Sequence, residues 1–326
     1  MIITRAPLRI SVGGGGTDMP SYYETNGGTI FSSLAINNYI YICLNQRFID
    51  KLFLRYSVNE EVDSVEEVAH DIFRETLKDI NQNLKSIEIT STSDIPGGTG
   101  LGSSGSFGVA LQLALRSYEN MPYSKELLAS ESTKIEKDIL GRPIGLQDQY
   151  ISSYGSLTEF IVKDDSSVTV NQPQISEEVE SIIENNLLLF YADVTRDSTS
   201  VLKNDSSEMK KSENKSSFDD IVQKGVDMYT SLLSCDLKNY GEIMHSYWMI
   251  KRERQKDFTQ NKINEVYDHI LQNELAYGGK LVGAGGSGFL LFCTSRPEDL
   301  KSKMKDIGMK ELKFSIDKEG AKLLEI

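Results

Sequence analysis

Pro96-Gly97-Gly98-Thr99-Gly100-Leu101-Gly102-Ser103-Ser104-Gly105-Ser106 is the stretch on which the reading of this chain turns. A strand-like run containing Ile87, Ile89 and Thr90 precedes it, and an apolar run over 107–115 follows. The order reads as strand, glycine loop, helix. Glycine lets backbone N–H groups converge without side-chain interference. The start of a helix adds unsatisfied donors and the positive end of its dipole, so a phosphate suits the place. Ser103, Ser104 and Ser106 supply hydroxyls that cap a helix or meet a phosphate-bound metal. The plainer alternative is a flexible polar loop with a serine cap.

The 326 residues are enough for one large domain or two, and two is the expectation. Lys and Arg total 35 against 48 Asp and Glu, and the resulting charge of −13 repels polyanions, arguing against nucleic acid or an anionic membrane as partner. No apolar run approaches the ~20 residues of a membrane helix, and residues 1–7 lack the apolar core of a signal peptide. Cys43, Cys235 and Cys293 are scattered and odd in number, which suits buried free thiols in a reducing cytoplasm. His70, His245 and His269 are too dispersed for a metal cluster and read as surface or capping residues.

Residues 2–12 alternate, with Leu8, Ile10 and Val12 on one face of a strand. That strand carries Arg9 and runs into Gly13-Gly14-Gly15-Gly16-Thr17-Asp18. A hairpin or bulge is one reading. A turn rarely needs four glycines, so the favoured one is a backbone bordering a ligand, with Asp18 at the rim accepting hydrogen bonds from sugar hydroxyls. Residues 29–48 and 52–56 read as strands, 65–80 as an amphipathic helix without chemistry, and 86–92 as the strand delivering the opening loop. Ser124 caps a second helix reaching about Leu140 and carrying Glu131, Glu136 and Asp138. Most such acids are solvated, but one turned inward suits Mg²⁺, which needs few protein ligands. In 141–150, glycine and proline stop that helix; Asp148 then follows between Gln147 and Gln149, as a helix cap or as a base held by fixed neighbours.

A strand over 156–162 and a polar, acidic segment over 163–180 set a domain boundary near 175, dividing the chain into 1–175 and 176–326. Beyond it come a strand at 187–192, a mobile polar loop or lid over 195–217, and helices near 218–234, 238–256 and 262–276. A strand–turn–strand over 281–292 contains Gly283-Ala284-Gly285-Gly286-Ser287-Gly288. A helix from Pro297 and a strand from Glu311 complete an α+β chain.

Arg5-Ala6-Pro7-Leu8-Arg9-Ile10-Ser11-Val12 with its four glycines, the opening loop, and Gly283 to Gly288 occur in this order across nearly the whole chain. In that order they resemble the three signature motifs of the GHMP kinases, the superfamily of galactokinase, homoserine kinase and mevalonate kinase. The segments Gly13 to Tyr23, Gly145-Leu146-Gln147-Asp148-Gln149-Tyr150 and His245-Ser246-Tyr247-Trp248-Met249-Ile250-Lys251-Arg252 are similar to one branch. That branch phosphorylates the anomeric hydroxyl of a seven-carbon sugar phosphate, on the way to nucleotide-activated heptose. The resemblance implies a two-domain α+β fold, with an N-terminal ribosomal-protein-like domain, a C-terminal ferredoxin-like domain and the active site between them. It implies ATP and Mg²⁺ as cofactors, a small sugar phosphate as partner and a cytoplasmic enzyme, and leaves a homodimer open.

Position by position, the resemblance assigns residues 96–106 to the nucleotide, and Ser104 with Glu136 to Mg²⁺. Asp148 becomes the catalytic aspartate, Arg9 its basic partner, and Asp18 the acceptor for sugar hydroxyls. Gly14, Gly15, Gly16, Thr17, Arg196, Gly285 and Gly286 join Asp18 around the substrate. Arg142, Arg196, Lys251 and Arg252 are candidates for the distal phosphate, against a solvated helix face for the last two. Tyr247 and Trp248 read as core or interface residues, and Gly105 is expected to loosen the first turn of its helix. A fucokinase-like enzyme of the same fold and a non-catalytic sugar or nucleotide sensor are the alternatives. A sensor would dispense with the acid–metal set, yet Ser104, Glu136 and Asp148 are all present.

Overall fold

Apolar alternation makes Ile2–Gly13 a strand, β1, buried without interruption from Ala6 to its end. The structure is a computed structural model and describes residues 1–192, 198–209, 215–254, 261–283 and 288–324. After a short helix α1 (Pro20–Asn26), the chain returns along β2 (Thr29–Gln46), then forms β3 (Leu52–Arg55), β4 (Asn59–Val62), α2 (Asp71–Asn81) and β5 (Ile87–Ser93). Next come α3 (Ser103–Tyr118), α4 (Lys125–Lys134) with a π-helical turn over Ile135–Ile139, α5 (Gln147–Tyr154), β6 (Leu157–Val162) and β7 (Val168–Asn171). The second half holds α6 (Glu177–Asn186), β8 (Leu187–Tyr191), α7 (Ser198–Met209), α8 (Lys215–Leu233), α9 (Leu237–Arg254) and α10 (Asn261–Gln272). It closes with β9 (Gly278–Leu281), β10 (Phe289–Cys293), α11 (Pro297–Asp306), β11 (Lys310–Leu312) and β12 (Lys322–Leu324).

Two sheets organise these elements. The first has the path β12-β1-β2-β5-β3-β4, with β6 and β7 branching from β2. The branch exists because β2 spans 18 residues: Thr29 to Leu34 pair with β6, and Ile40 to Gln46 pair with β5. Opposite β2, β1 shifts register between Pro7 and Leu8, as fits a proline that has no N–H to give the ladder. The second sheet is antiparallel in the order β11-β8-β10-β9, the order of a ferredoxin-like split β-α-β unit with additional helices after its first strand. The last strand, β12, returns to pair with β1, Leu324 opposite Ile3.

Three local readings of the sequence need correction. The helix expected over 65–80 begins only at Asp71, after a 3₁₀ turn at Val65–Glu67. His70 caps it, accepting from the Phe73 N–H at 3.4 Å while its ring packs edge-on against Phe73. Within the expected loop over 195–217, Ser198–Met209 is helical, because Leu202, Asp205 and Met209 fall at helical spacing on the inward side. The polar segment over 163–180 contains β7, paired with β6 as a hairpin. All three cysteines are free, and only Cys293 is fully buried.

Helix α8 crosses the end of β1 at Gly225, where an added Cβ would lie 2.5 Å from the Gly14 nitrogen and 2.6 Å from its Cα. Alanine there gains about 1 kcal/mol of helix propensity but overpacks a backbone contact, at a typical cost of about 1–3 kcal/mol. Gly225→Ala should therefore lower the urea unfolding midpoint, and a midpoint raised by the substitution would show that α8 rides free of the glycine turn.

Candidate active site

The opening loop is shaped by glycines at every second position. Gly98, Gly100 and Gly102 have φ of 75°, 81° and 79°, alternating with residues of ordinary hand, a pattern that turns successive N–H groups into one hollow. Ser103 then starts α3. Gly105 is a glycine for a reason other than looseness: a Cβ there would stand 2.7 Å from that of Asp148 and 2.9 Å from the Asp148 carbonyl carbon. Its bareness lets the start of α5 lie against the start of α3. The loop also meets the third glycine segment backbone to backbone. A Cβ on Gly100 would lie 2.5 Å from the Val282 carbonyl oxygen, and one on Gly283 would lie 2.6 Å from the Gly100 Cα.

Between these loops lies a cavity of about 230 Å³ lined by Arg9, Gly14, Gly15, Gly16, Asp18, Gly98, Gly100, Gly102, Ser103, Ser104 and Asp148. Ser104 is exposed and Ser103 partly so. Other residues expected at the site face elsewhere. Leu101 belongs to the core, and the Thr99 hydroxyl donates to the Pro96 carbonyl at 3.0 Å. Ser106 is buried, with its hydroxyl 2.8 Å from the Pro7 carbonyl, and Gly105 lies beneath the loop. Pro96 and Gly97 are exposed and do not line the cavity. Thr17 is fully buried, its hydroxyl 2.9 Å from that of Thr29. Arg196, Gly285 and Gly286 lie outside the described residues.

At the floor, Arg9 joins three parts. Its Nε donates to Asp148 Oδ1 at 2.7 Å, Nη2 approaches the same oxygen at 2.7 Å, and Nη1 donates to the Gly100 carbonyl. Its backbone N–H donates to the Leu101 carbonyl at 3.0 Å. Arg9 is 7% exposed while Asp148, in the first turn of α5, keeps 28%. One carboxylate oxygen is thus fixed by the guanidinium, and the group still opens to the cavity.

Asp18 accepts from the Gln147 N–H at 3.0 Å and the Gly16 N–H at 2.9 Å. Burial raises its pKa above the ordinary aspartate value and the Asp148 charge adds, while the Gln147 and Gly16 N–H groups pull it back. Gly145 is bare because a Cβ would collide with this carboxylate. Tyr240 and Tyr247 stand two turns apart on α9, and sequence reading gave neither a site role. Tyr240 donates to the Val12 carbonyl at 3.0 Å, Tyr247 to the Gly14 and Gly15 carbonyls at 2.8 and 3.2 Å. Two phenols at a spacing of seven were the available signal.

Glu136 is 1% exposed and does not line the cavity. Its oxygens accept from Gln149 Nε2 at 2.8 Å and Arg142 Nη1 at 3.0 Å, and burial raises its pKa against those two partners. Arg142 also grips Asp71 at 2.9 and 2.8 Å, which removes it from the distal-phosphate candidates. Arg252 is removed likewise by Asp268, at 2.6 and 2.8 Å. Among the described residues no group of three His, Cys, Asp or Glu is placed to hold a metal. Lys251 does line the cavity, and so does Lys280, the third residue of the short strand β9, to which sequence reading gave no role.

The strand orders and the loop-lined cavity define a mixed α+β protein of the GHMP kinase fold. Residues 64–156 match the family described as GHMP kinases N terminal domain. It is 26% identical over 335 residues to D-glycero-alpha-D-manno-heptose 7-phosphate kinase of Campylobacter jejuni subsp. jejuni serotype O:2, covering 98% of both chains. Among solved structures it is similar to a D-glycero-D-manno-heptose 1-phosphate kinase from Bacteriodes thetaiotaomicron, with TM-score 0.79, 20% identity, and 100% and 99% of the chains covered. It also resembles Streptococcus pneumoniae phosphomevalonate kinase in complex with phosphomevalonate and AMPPNP, with TM-score 0.77, 15% identity, and 97% and 100% covered.

Burial, then repulsion by Lys251 and Arg9, pushes the pKa of Lys280 well below the ordinary lysine value. The unfolded chain therefore holds a proton more firmly than the folded one, so this lysine destabilises the fold most below its folded pKa and progressively less as pH rises toward the ordinary lysine range. Lys280→Met should stabilise the ligand-free protein at pH 7. Urea unfolding at pH 7 and pH 9.5 should show that gain shrinking at the higher pH; a gain that grows with pH would contradict the buried-ammonium reading.

Proposed function

We propose that this protein is an ATP-dependent sugar kinase that phosphorylates the anomeric C1 hydroxyl of D-glycero-D-manno-heptose 7-phosphate, giving the 1,7-bisphosphate. The observation that carries the reading is the Arg9–Asp148 pair at the floor of a glycine-loop cavity. It stands in a chain similar to a heptose 7-phosphate kinase along 98% of both lengths. We place the reaction in the cytoplasm, in the supply of nucleotide-activated heptose for capsule or other surface polysaccharide. Among the described residues no helix is long and apolar enough to cross a membrane.

Phosphoryl transfer needs positioning and charge neutralisation more than covalent help. The N–H groups of the opening loop and the first turn of α3 would cradle the nucleotide phosphates. The first glycine turn, held from behind by Tyr247, would border the sugar, with Asp18 accepting from its hydroxyls. Asp148 would take the proton of the C1 hydroxyl as that oxygen attacks the γ-phosphorus in line and ADP leaves. Arg9 fixes one Asp148 oxygen, so the other is the one free to receive the proton. The Ser104 hydroxyl and the Glu136 carboxylate are hard oxygen donors of the kind Mg²⁺ takes, and Glu136 already carries a cation, the Arg142 guanidinium. We assign Mg²⁺ to the Ser104 hydroxyl on the cavity wall, where it would neutralise phosphate charge, and to Glu136 only once that carboxylate leaves Arg142 and Gln149, which enclose it away from the cavity. Because Arg142 is gripped independently by Asp71, it has a carboxylate to keep if Glu136 is given up.

Asp148→Asn keeps the shape and removes the base. A turnover number lower by about 10²–10⁴-fold is expected, with the KM for heptose 7-phosphate changed little. The check is coupled ADP release together with phosphorus NMR of the bisphosphate. Near-normal turnover in this variant would remove Asp148 from the role of base.

A further inference from the structure

Two cationic side chains on the cavity wall have no part in the chemistry above. Lys280 lies on β9 and is 2% exposed; Lys251 lies on α9, one turn beyond Tyr247, and is 8% exposed. Both ammonium groups sit over the face of the Tyr247 ring, Lys280 Nζ at 4.9 Å and Lys251 Nζ at 5.8 Å from its centroid. Among the described residues neither lysine has a carboxylate within ion-pair distance. Among the described residues Lys251 makes one long hydrogen bond, 3.4 Å to the Gly283 carbonyl. The acids nearby are engaged elsewhere: Asp148 by Arg9, Asp205 by Arg254 at 3.1 Å, and Asp18 by two backbone N–H groups.

Two ammonium groups held beside one another and beside Arg9 repel, and burial denies them water. An aromatic face returns only a fraction of that cost. Such an arrangement persists where a ligand supplies the missing negative charge, and a dianion answers two lysines at once. Lysine serves phosphate as a compact point charge, without needing the forked geometry of arginine.

We propose that Lys251 and Lys280 form the site for a phosphate monoester already present on the sugar substrate, distinct from the phosphates bound by the glycine loop. The placement favours the sugar over the nucleotide. Tyr247, whose ring lies against both ammonium groups, is bonded through its hydroxyl to the Gly14 and Gly15 carbonyls, on the sugar side of the cavity. The loop at 98–104 has its own N–H donors and the start of α3 for nucleotide phosphate. Lys251 replaces Arg142 and Arg252 as the distal-phosphate cation, and Lys280 joins it as a second specificity-determining residue. This assignment rests on the reading of the protein as a sugar-phosphate kinase.

The test is equilibrium binding, which does not depend on turnover, with the nucleotide site filled by a non-hydrolysable ATP analogue. Lys251→Met and Lys280→Met should each weaken binding of heptose 7-phosphate by about 10–100-fold. Binding of the unphosphorylated heptose should change less than threefold. Equal losses for the two sugars would overturn the proposal. Affinity for the ATP analogue should hold within threefold; a variant that loses the analogue but keeps ADP would overturn it too, by assigning the lysines to the transferred phosphoryl group. Inorganic phosphate is the probe that does not depend on the identity of the sugar. It should bind the nucleotide-filled wild type and bind the double variant at least tenfold more weakly, and equal binding to both would overturn the site. Phosphate binding by the lysines with no turnover of any sugar would instead remove the kinase reading and leave the site standing. Thermal unfolding accompanies each variant: an unchanged or raised midpoint is expected, whereas a lowered midpoint with unchanged phosphate binding would make the lysines structural.

Discussion

The Arg9 guanidinium is shared between the Gly100 carbonyl and the Asp148 carboxylate, and its backbone N–H is bonded to Leu101. Strand β1, the glycine loop and the start of α5 therefore meet at one buried cation. Such a group is costly to bury unless every donor finds an acceptor, so each of the three elements is held to the position that satisfies it. The bareness of Gly105 belongs to the same constraint. A methyl group at that position would push Asp148 away from the loop and break the geometry that Arg9 imposes.

The second half of the chain is fastened to this assembly by backbone contact and by phenols. Gly100 and Gly283 touch with no side chain between them, and Tyr240 and Tyr247 reach across from α9 to the end of β1 and the first glycine turn. Helix α7 adds Leu202 and Asp205 to the cavity wall, tied back to α9 through Arg254. The cavity is consequently lined by both sheets' elements, with carboxylates on one part of its wall and, on another, ammonium groups that have no carboxylate partner among the described residues. A protein of net charge −13 can attract phosphate here because the local field is set by buried neighbours rather than by distant surface acids.

Much of this was legible in the residue order. Strand periodicity locates β1 and β2, the first two glycine runs mark backbone that borders the cavity, and Arg9, Asp18, Ser104 and Asp148, all legible in the motifs, line it. What misled was composition read without direction. Ser106 and Thr17 share the polarity of their neighbours, yet their hydroxyls turn into the interior to satisfy Pro7 and Thr29. Arg142 and Arg252 look like free cations in one dimension and are held by acids 71 and 16 positions away. Lys280 gives no periodic signal, because a four-residue strand that opens on two glycines is too short to show one.

By itself the sequence determined the local conformations: where the chain must turn with glycine, where it must extend, and which helices have one apolar side. These follow from steric limits and side-chain period, both properties of short segments. Only the tertiary structure decided which polar groups are spent on the fold and which remain for a ligand. That division depends on partners distant in sequence, since a hydroxyl or a charge is free only when no buried acceptor or opposite charge has been brought against it. Asp148 keeps an open face for that reason and, among the described residues, Lys251 and Lys280 have no carboxylate within ion-pair distance, whereas Glu136 is enclosed by Gln149 and Arg142.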